Sequence, residues 1–333
     1  MSSNIYYTDS QKNLIFSFFI ILTLTALTSC IRLFFDLNVL PARILISFFE
    51  ASSIILISYL VLFIKKSDTL FAMILLYLKA HAFSIIFQAF FYPDMQYYVA
   101  NFWGTDVFNN FSIYNYRFIG LAGSYVPASI LSSFLLLIYL FPNFKINVAT
   151  RYFYISLALI SSSLTARTGI VLCLALIFLS ITLAFLTSKN AIIKSFLIFL
   201  FVLLVSFSSF NTFNVDLINK IDLGIIYQLS YLKTDIASHF SNEWRGDLSF
   251  LHYILGTGSI QFSPGDNGYT MFISQHGIVF LILFFIPYLY LLSTKNLTLG
   301  LAFGIVIILA QLKTDFFLSS VYMFITLSLI KNY

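Results

Sequence analysis

The chain has 333 residues, 60% of them hydrophobic and only 9% charged, with a formal net charge of +5. About a quarter of an ordinary globular sequence is charged, so this composition excludes a soluble globular domain. The positive charge does not point to nucleic acid as a partner, because the lysines sit between apolar runs.

Repeated apolar runs of roughly 18 to 22 residues match the ~30 Å hydrocarbon core that a helix crosses at ~1.5 Å per residue. They predict an all-α, polytopic integral membrane protein with the lipid bilayer as its surroundings. Ten spans are expected, at roughly 14–31, 44–64, 70–91, 124–142, 152–166, 169–187, 194–210, 269–292, 297–312 and 316–330. The short pair flanking Ala166-Arg167-Thr168-Gly169 reads also as one long broken helix. No internal repeat or low-complexity linker divides residues 1–333, which read as a single polytopic membrane domain. The one break in hydropathy is the stretch 211–268.

Forty Phe and 21 Tyr suit lipid-facing surfaces and interfacial belts, and alone carry no functional message. Cys30 and Cys173 lie inside apolar runs and read as packing residues rather than a disulfide or a metal site. Leu27-Thr28-Ser29-Cys30 resembles a bacterial lipoprotein cleavage box. Upstream of it stand only Lys12 for positive charge, and Asp9, so cleavage is not expected.

With the N-terminus inside, the cytoplasmic connections carry Lys12, Lys65, Lys66, Lys145, Arg151, Lys189, Lys194, Lys295 and Lys331, opposed only by Asp9 and Asp68. The remaining nine basic residues are outnumbered by eleven acidic ones. Inverting the chain would reverse this asymmetry, so both termini are expected in the cytoplasm. Arginine breaks the pattern. Arg32, Arg43, Arg117, Arg167 and Arg245 face outward on this map, and only Arg151 faces inward. Lysine is a hydrated point charge, whereas arginine offers a planar fork that grips phosphate through two hydrogen bonds. Arg32 and Arg43 read as helix-end residues or as partners of outer acids such as Asp36. The other three read as groups that meet an anion.

Residues 211–268 form a large outer, periplasmic loop with short amphipathic helices. Ile218, Ile221, Ile225, Leu229, Leu232 and Ile236 recur at steps of three and four and draw one apolar stripe on a helix, which reads as a lid or brace. A second short helix follows, with Ser241 or Asn242 as N-cap and Glu243 in its first turn. Arg245 and His252 stand seven residues apart, two turns apart on one side. Gly256-Thr257-Gly258 ends this helix, and Ser263-Pro264-Gly265-Asp266-Asn267-Gly268 makes a turn directly before the next span. Gly256-x-Gly258 lacks a third glycine and a preceding strand, so it is not a dinucleotide site. Arg245, His252 and Asp266 are thus expected at the outer mouth of a helical bundle, at the level of Arg117 and Arg167.

Glu50, Lys79 and His81 are ionisable groups inside spans, where isolated charge is costly. Glu50 and Lys79 read either as a structural pair or, with His81, as a polar path or acceptor groove in the bundle. Lys313 and Asp315 read as an interfacial pair. The four histidines are scattered and no paired carboxylates occur, so neither a metal nor another cofactor is expected.

Several of these segments resemble the O-antigen polymerase and ligase superfamily. Tyr116-Arg117-Phe118-Ile119-Gly120-Leu121-Ala122-Gly123 resembles its R-x-x-G-x-x-G segment, and Thr165-Ala166-Arg167-Thr168-Gly169 resembles its S-R-T-G turn between two short spans. Arg245 upstream of Gly256-Thr257-Gly258 is similar to the family's outer-loop arginine before G-x-G. Asp266-Asn267, with Gly277 following, matches the H-N-x9-G spacing of O-antigen ligases, except that Asp266 stands where ligases carry histidine. Polymerases are looser there, so the departure leans toward a polymerase and leaves the general base open among Asp266, His276 and His252. The resemblance covers about residues 117–290.

What the resemblance implies is a GT-C-like membrane glycosyltransferase in the bacterial inner membrane. An O-antigen polymerase moves a growing glycan from undecaprenyl diphosphate onto a lipid-linked repeat unit at the periplasmic face. Arg167 and Arg245 would hold the donor diphosphate, with Arg117 shaping that pocket, and arginine would stabilise the leaving charge without a metal. Asp266 would deprotonate the acceptor hydroxyl. His252 and His276 would contact substrate, and a chain-length-determining co-polymerase would be a partner. The alternatives are an O-antigen ligase acting on lipid A core and a lipid-linked oligosaccharide transporter, which is no enzyme.

Overall fold

The structure is a computed structural model that describes residues 9–35, 41–63, 67–91, 98, 118–122, 124–187, 250–256, 268–294, 297–313 and 320–332. Among these residues the chain is helical and contains no strand. The helices are α1 (Asp9–Phe35), α2 (Pro41–Phe63), α3 (Asp68–Phe90), α4 (Tyr125–Leu140), α5 (Val148–Ser163), α6 (Arg167–Thr187), α7 (Phe250–Leu255), α8 (Gly268–His276), α9 (Ile278–Ser293), α10 (Leu297–Lys313) and α11 (Ser320–Asn332).

Two segments, Asp68–Phe90 and Thr168–Phe185, are long and apolar enough to cross a membrane by length and composition. Only 28% of the apolar window of each is buried, the reverse of a helix at the centre of a soluble core. Along α3 the outward side chains are Met73, Leu76, Phe83, Phe87 and Phe90, a surface that water would penalise.

Nine of the ten expected spans coincide with helical stretches. The tenth, 194–210, lies outside the described residues, as do residues 211–249 and 257–267 with their apolar stripe and their turn. Residues 152–187 form two helices, parted at Leu164–Ala166, as the pair of short spans requires and not one broken helix. One difference is informative. The stretch 269–292, expected as one span, is α8 and α9 parted at Gly277, whose φ of +85° no regular helix contains.

The chain divides into two compact units, one formed by residues 1–72, 239–296 and 311–333, the other by residues 73–238 and 297–310. In the first, α2 packs against α1, α9 and α11, with the Phe18 and Tyr59 rings 5.1 Å apart. Its helix ends are closed by side chains. Lys331 Nζ donates to the carbonyls of Val61 (2.6 Å) and Leu62 at the end of α2. Ser67 accepts from the Leu70 amide (3.2 Å) as N-cap of α3, while its own amide donates to Asn332 Oδ1 (2.8 Å).

In the second unit α4 is the centre, with every residue from Ala128 to Tyr139 buried and α5 and α6 packed on it. Serines inside these helices return their hydroxyls to carbonyls of their own helix, as Ser133 does to Ser129 (2.8 Å) and Ser161 to Ala158 (3.1 Å). A polar side chain satisfied within its own helix suits an apolar setting.

Candidate functional site

The turn at Phe118–Ala122, directly after Arg117 in the sequence, is held by α3. Gln88 donates from Nε2 to the Gly120 carbonyl (3.2 Å) and accepts from the Gly120 amide at Oε1 (3.1 Å). His81 accepts from the Leu121 amide at Nδ1 (3.1 Å), so its proton sits on Nε2, which donates to the Ala128 carbonyl (3.0 Å). Gly120 has φ +55°, and a Cβ there would stand 2.8 Å from the His81 ring and from Ile85. Only glycine fits both the conformation and the space.

The same turn is joined to the segment before α6. The Phe118 amide donates to the Leu164 carbonyl (3.0 Å), and Phe118 packs with buried Ile85 and Ala128. Three residues beyond Leu164, α6 begins at Arg167, with Gly169 in its first turn. A Cβ on Gly169 would stand 2.7 Å from Ser129 Cβ and 2.8 Å from the Ser162 carbonyl, so glycine lets α6 start close against α4 and α5. A basic residue in the first turn runs against the helix dipole, and such a donor-rich start suits an anion.

The first unit carries the second locus. Gly256 ends α7 with φ +75°, a left-handed C-terminal position that glycine takes without strain. A Cβ on Gly256 would meet the Gln275 carbonyl oxygen at 2.5 Å, and one on Gly277 would meet the carbonyl carbons of Ile254 and Leu255 at 2.6 Å. The ends of α7 and α8 therefore touch backbone to backbone at two glycines. This contact holds Gln275 and His276, 6% and 1% exposed. His276 lies against Phe272 (ring centroids 5.1 Å apart) and Phe280 (6.0 Å). Gln275 Nε2 donates to Glu50 Oε2 of α2 (3.3 Å), and Gln275 Oε1 has no partner among the described residues.

Of the residues expected from sequence, Arg117, Arg245 and Asp266 lie outside the described residues. Arg167 is the first residue of α6 and His252 the third of α7; their side chains lie outside the described set. His276 ends α8 in a buried aromatic setting. Glu50 and Lys79 each take a partner within their own unit. Lys79 Nζ stands 4.5 Å from the Tyr154 ring centroid and 5.9 Å from that of Tyr139, a cation–π arrangement. His81 commits both nitrogens to backbone, so it holds the Gly120 turn rather than a polar path.

Sequence reasoning missed Gln88 and Gln275. Each is a primary amide inside an apolar stretch, and that is the signal that would have found them. Comparison with family models, curated proteins and solved structures returns no match to this chain.

Proposed function

We propose that the chain is a ten-span inner-membrane glycosyltransferase with both termini in the cytoplasm, of the O-antigen polymerase type. The donor is a growing glycan on undecaprenyl diphosphate and the acceptor is a lipid-linked repeat unit at the periplasmic face. The acceptor hydroxyl attacks the anomeric carbon, its proton passes to a carboxylate for which Asp266 is the first candidate, and the lipid diphosphate leaves with the bonding electron pair. Arg167 and Arg245 meet the diphosphate, Arg117 shapes that pocket, and His252 and His276 lie on the substrate side.

The observation that carries this reading is the Phe118–Leu164 hydrogen bond. It ties the segment that follows Arg117 to the segment that precedes Arg167, so two arginine-bearing stretches far apart in sequence adjoin through their backbones. Outward arginine defies the charge bias of membrane proteins, and an anion explains its retention. Aspartate at position 266, where ligases carry histidine, favours polymerase over ligase.

The test is the lipopolysaccharide of a strain lacking this protein. Loss of a polymerase leaves core bearing one repeat unit, and loss of a ligase leaves bare core. Normal long chains would overturn both readings. Unchanged polymer with Asp266→Asn would move the proton-accepting role to a histidine.

A further inference from the structure

Glu50 is a carboxylate in the interior of α2, an apolar helix where an ionised group is costly to keep. Among the described residues its carboxylate accepts one hydrogen bond, from Gln275 Nε2 at 3.3 Å, just beyond the usual range. Glu50 is exposed on its helix, while Gln275 is 6% exposed and fixed from behind by the two-glycine contact of α7 with α8. Gln275 Oε1 is buried and takes no hydrogen among the described residues. Among the described residues the exposed carboxylate therefore offers more acceptor sites than it finds donors.

Acceptor excess selects the ligand. A phosphate would add negative charge beside a carboxylate and be repelled. A hard cation such as calcium needs about six to eight oxygen ligands, and two side chains do not provide them. Hydroxyl groups bring the donors that are missing, and sugar rings present them in adjacent pairs. A carboxylate in an apolar span that such donors satisfy discriminates against a ligand lacking them.

We propose that Glu50, positioned with Gln275, forms a subsite for the sugar hydroxyls of the lipid-linked glycan. The proposal deepens the polymerase reading and rests on it for the identity of the sugar-bearing lipid. Glu50 touches the sugar, and Gln275 acts as a positioning residue that orients that carboxylate.

The experiment uses the purified full-length protein in lipid nanodiscs with two probes. One is the lipid-linked oligosaccharide extracted from cells lacking this protein, and the other is undecaprenyl diphosphate without sugar. Dissociation constants are measured for wild type, Glu50→Gln, Glu50→Asp and Gln275→Leu, with unfolding temperatures alongside and polymer formation assayed on the first probe. Glu50→Gln and Gln275→Leu are expected to weaken binding of the glycan-bearing lipid about tenfold and to leave the bare carrier unchanged. Glu50→Asp, which keeps the charge, is expected to fall between and covers a failure of the other variants to fold. Equal weakening for both probes, or none for either, overturns the subsite, as does a wild type that binds both lipids alike. If the wild type forms no polymer yet the variants lose the glycan selectively, the subsite stands and the polymerase reading falls.

Discussion

The Phe118 amide donates to the Leu164 carbonyl across 3.0 Å, joining two turns that are separated by 46 positions in the chain. Around this bond Gln88 grips both backbone groups of Gly120, and His81 bridges Leu121 and Ala128. The two side chains stand two turns apart on α3 and act on adjacent residues of one turn. Removing either leaves buried backbone groups without partners, at about 1–3 kcal/mol for each group. Gln88→Leu and His81→Phe are therefore each expected to lower the unfolding free energy, and the double variant to lose less than the sum. Thermal unfolding of the four proteins in detergent measures the coupling, and strict additivity would show that the two residues support separate structures.

Gly256 and Gly277 make a sharper case. Both have positive φ, and the atoms a Cβ would meet are main-chain atoms of the opposite helix end, which cannot swing aside. Gly256→Ala and Gly277→Ala are each expected to cost about 3 kcal/mol or more, adding left-handed strain of about 1–2 kcal/mol to overpacking of about 1–3 kcal/mol. Gly304 in α10 has nothing within 4 Å of its ideal Cβ. Gly304→Ala should instead gain up to about 1 kcal/mol of helix stability. Unfolding temperatures that fail to separate the pair from Gly304 would contradict this contact.

Lys331 tests how much a helix-end clasp contributes. Its ammonium group serves two carbonyls at the end of α2, groups that no turn of their own helix can satisfy. The two hydrogen bonds are only part-buried, so other donors can replace much of what is lost, and Lys331→Met is expected to cost only about 1 kcal/mol. Lys331→Arg should restore most of it. A loss above about 3 kcal/mol in the methionine variant would mean that the carbonyls are sealed from any other donor.

The helices were legible in the sequence because runs of apolar residues end at recognisable charges and caps, as at Ser67 before α3 and Asn147 before α5. The break inside 269–292 was not. Gly277 follows Ser274-Gln275-His276 inside an otherwise apolar stretch, and the reason for the break lies in Ile254 and Leu255, which approach it from another part of the chain. The same holds for the site. Arg167 and Gly169 stand out as a local pattern, but the partner of Leu164 and the grip of Gln88 on Gly120 depend on pairings between distant residues. His81 illustrates the opposite risk: an ionisable residue type in an apolar run suggested chemistry, and its two ring nitrogens serve the backbone.

Arginine is where structure and proposed chemistry part most cleanly. Arg151 donates from Nε to the Tyr139 carbonyl (2.9 Å) and from Nη2 to the Leu140 carbonyl (2.8 Å), closing the last turn of α4. It is the one arginine that the charge map assigns to the cytoplasm, and its guanidinium is used by the fold. Arg151→Lys keeps the charge and one of the two bonds, so it is expected to cost about 0.5–1.5 kcal/mol of stability and to leave glycan length normal. Under the proposed function, Arg167→Lys and Arg245→Lys also keep the charge but lose the planar fork that would hold a diphosphate through paired hydrogen bonds. They are expected to abolish most polymer while protein levels and unfolding temperature stay near wild type. Glycan ladders from a null strain complemented with each variant, read beside immunoblots, separate the two behaviours. Normal ladders from both the Arg167 and Arg245 lysine variants would remove the diphosphate from the mechanism, because a point charge would then do whatever these residues do.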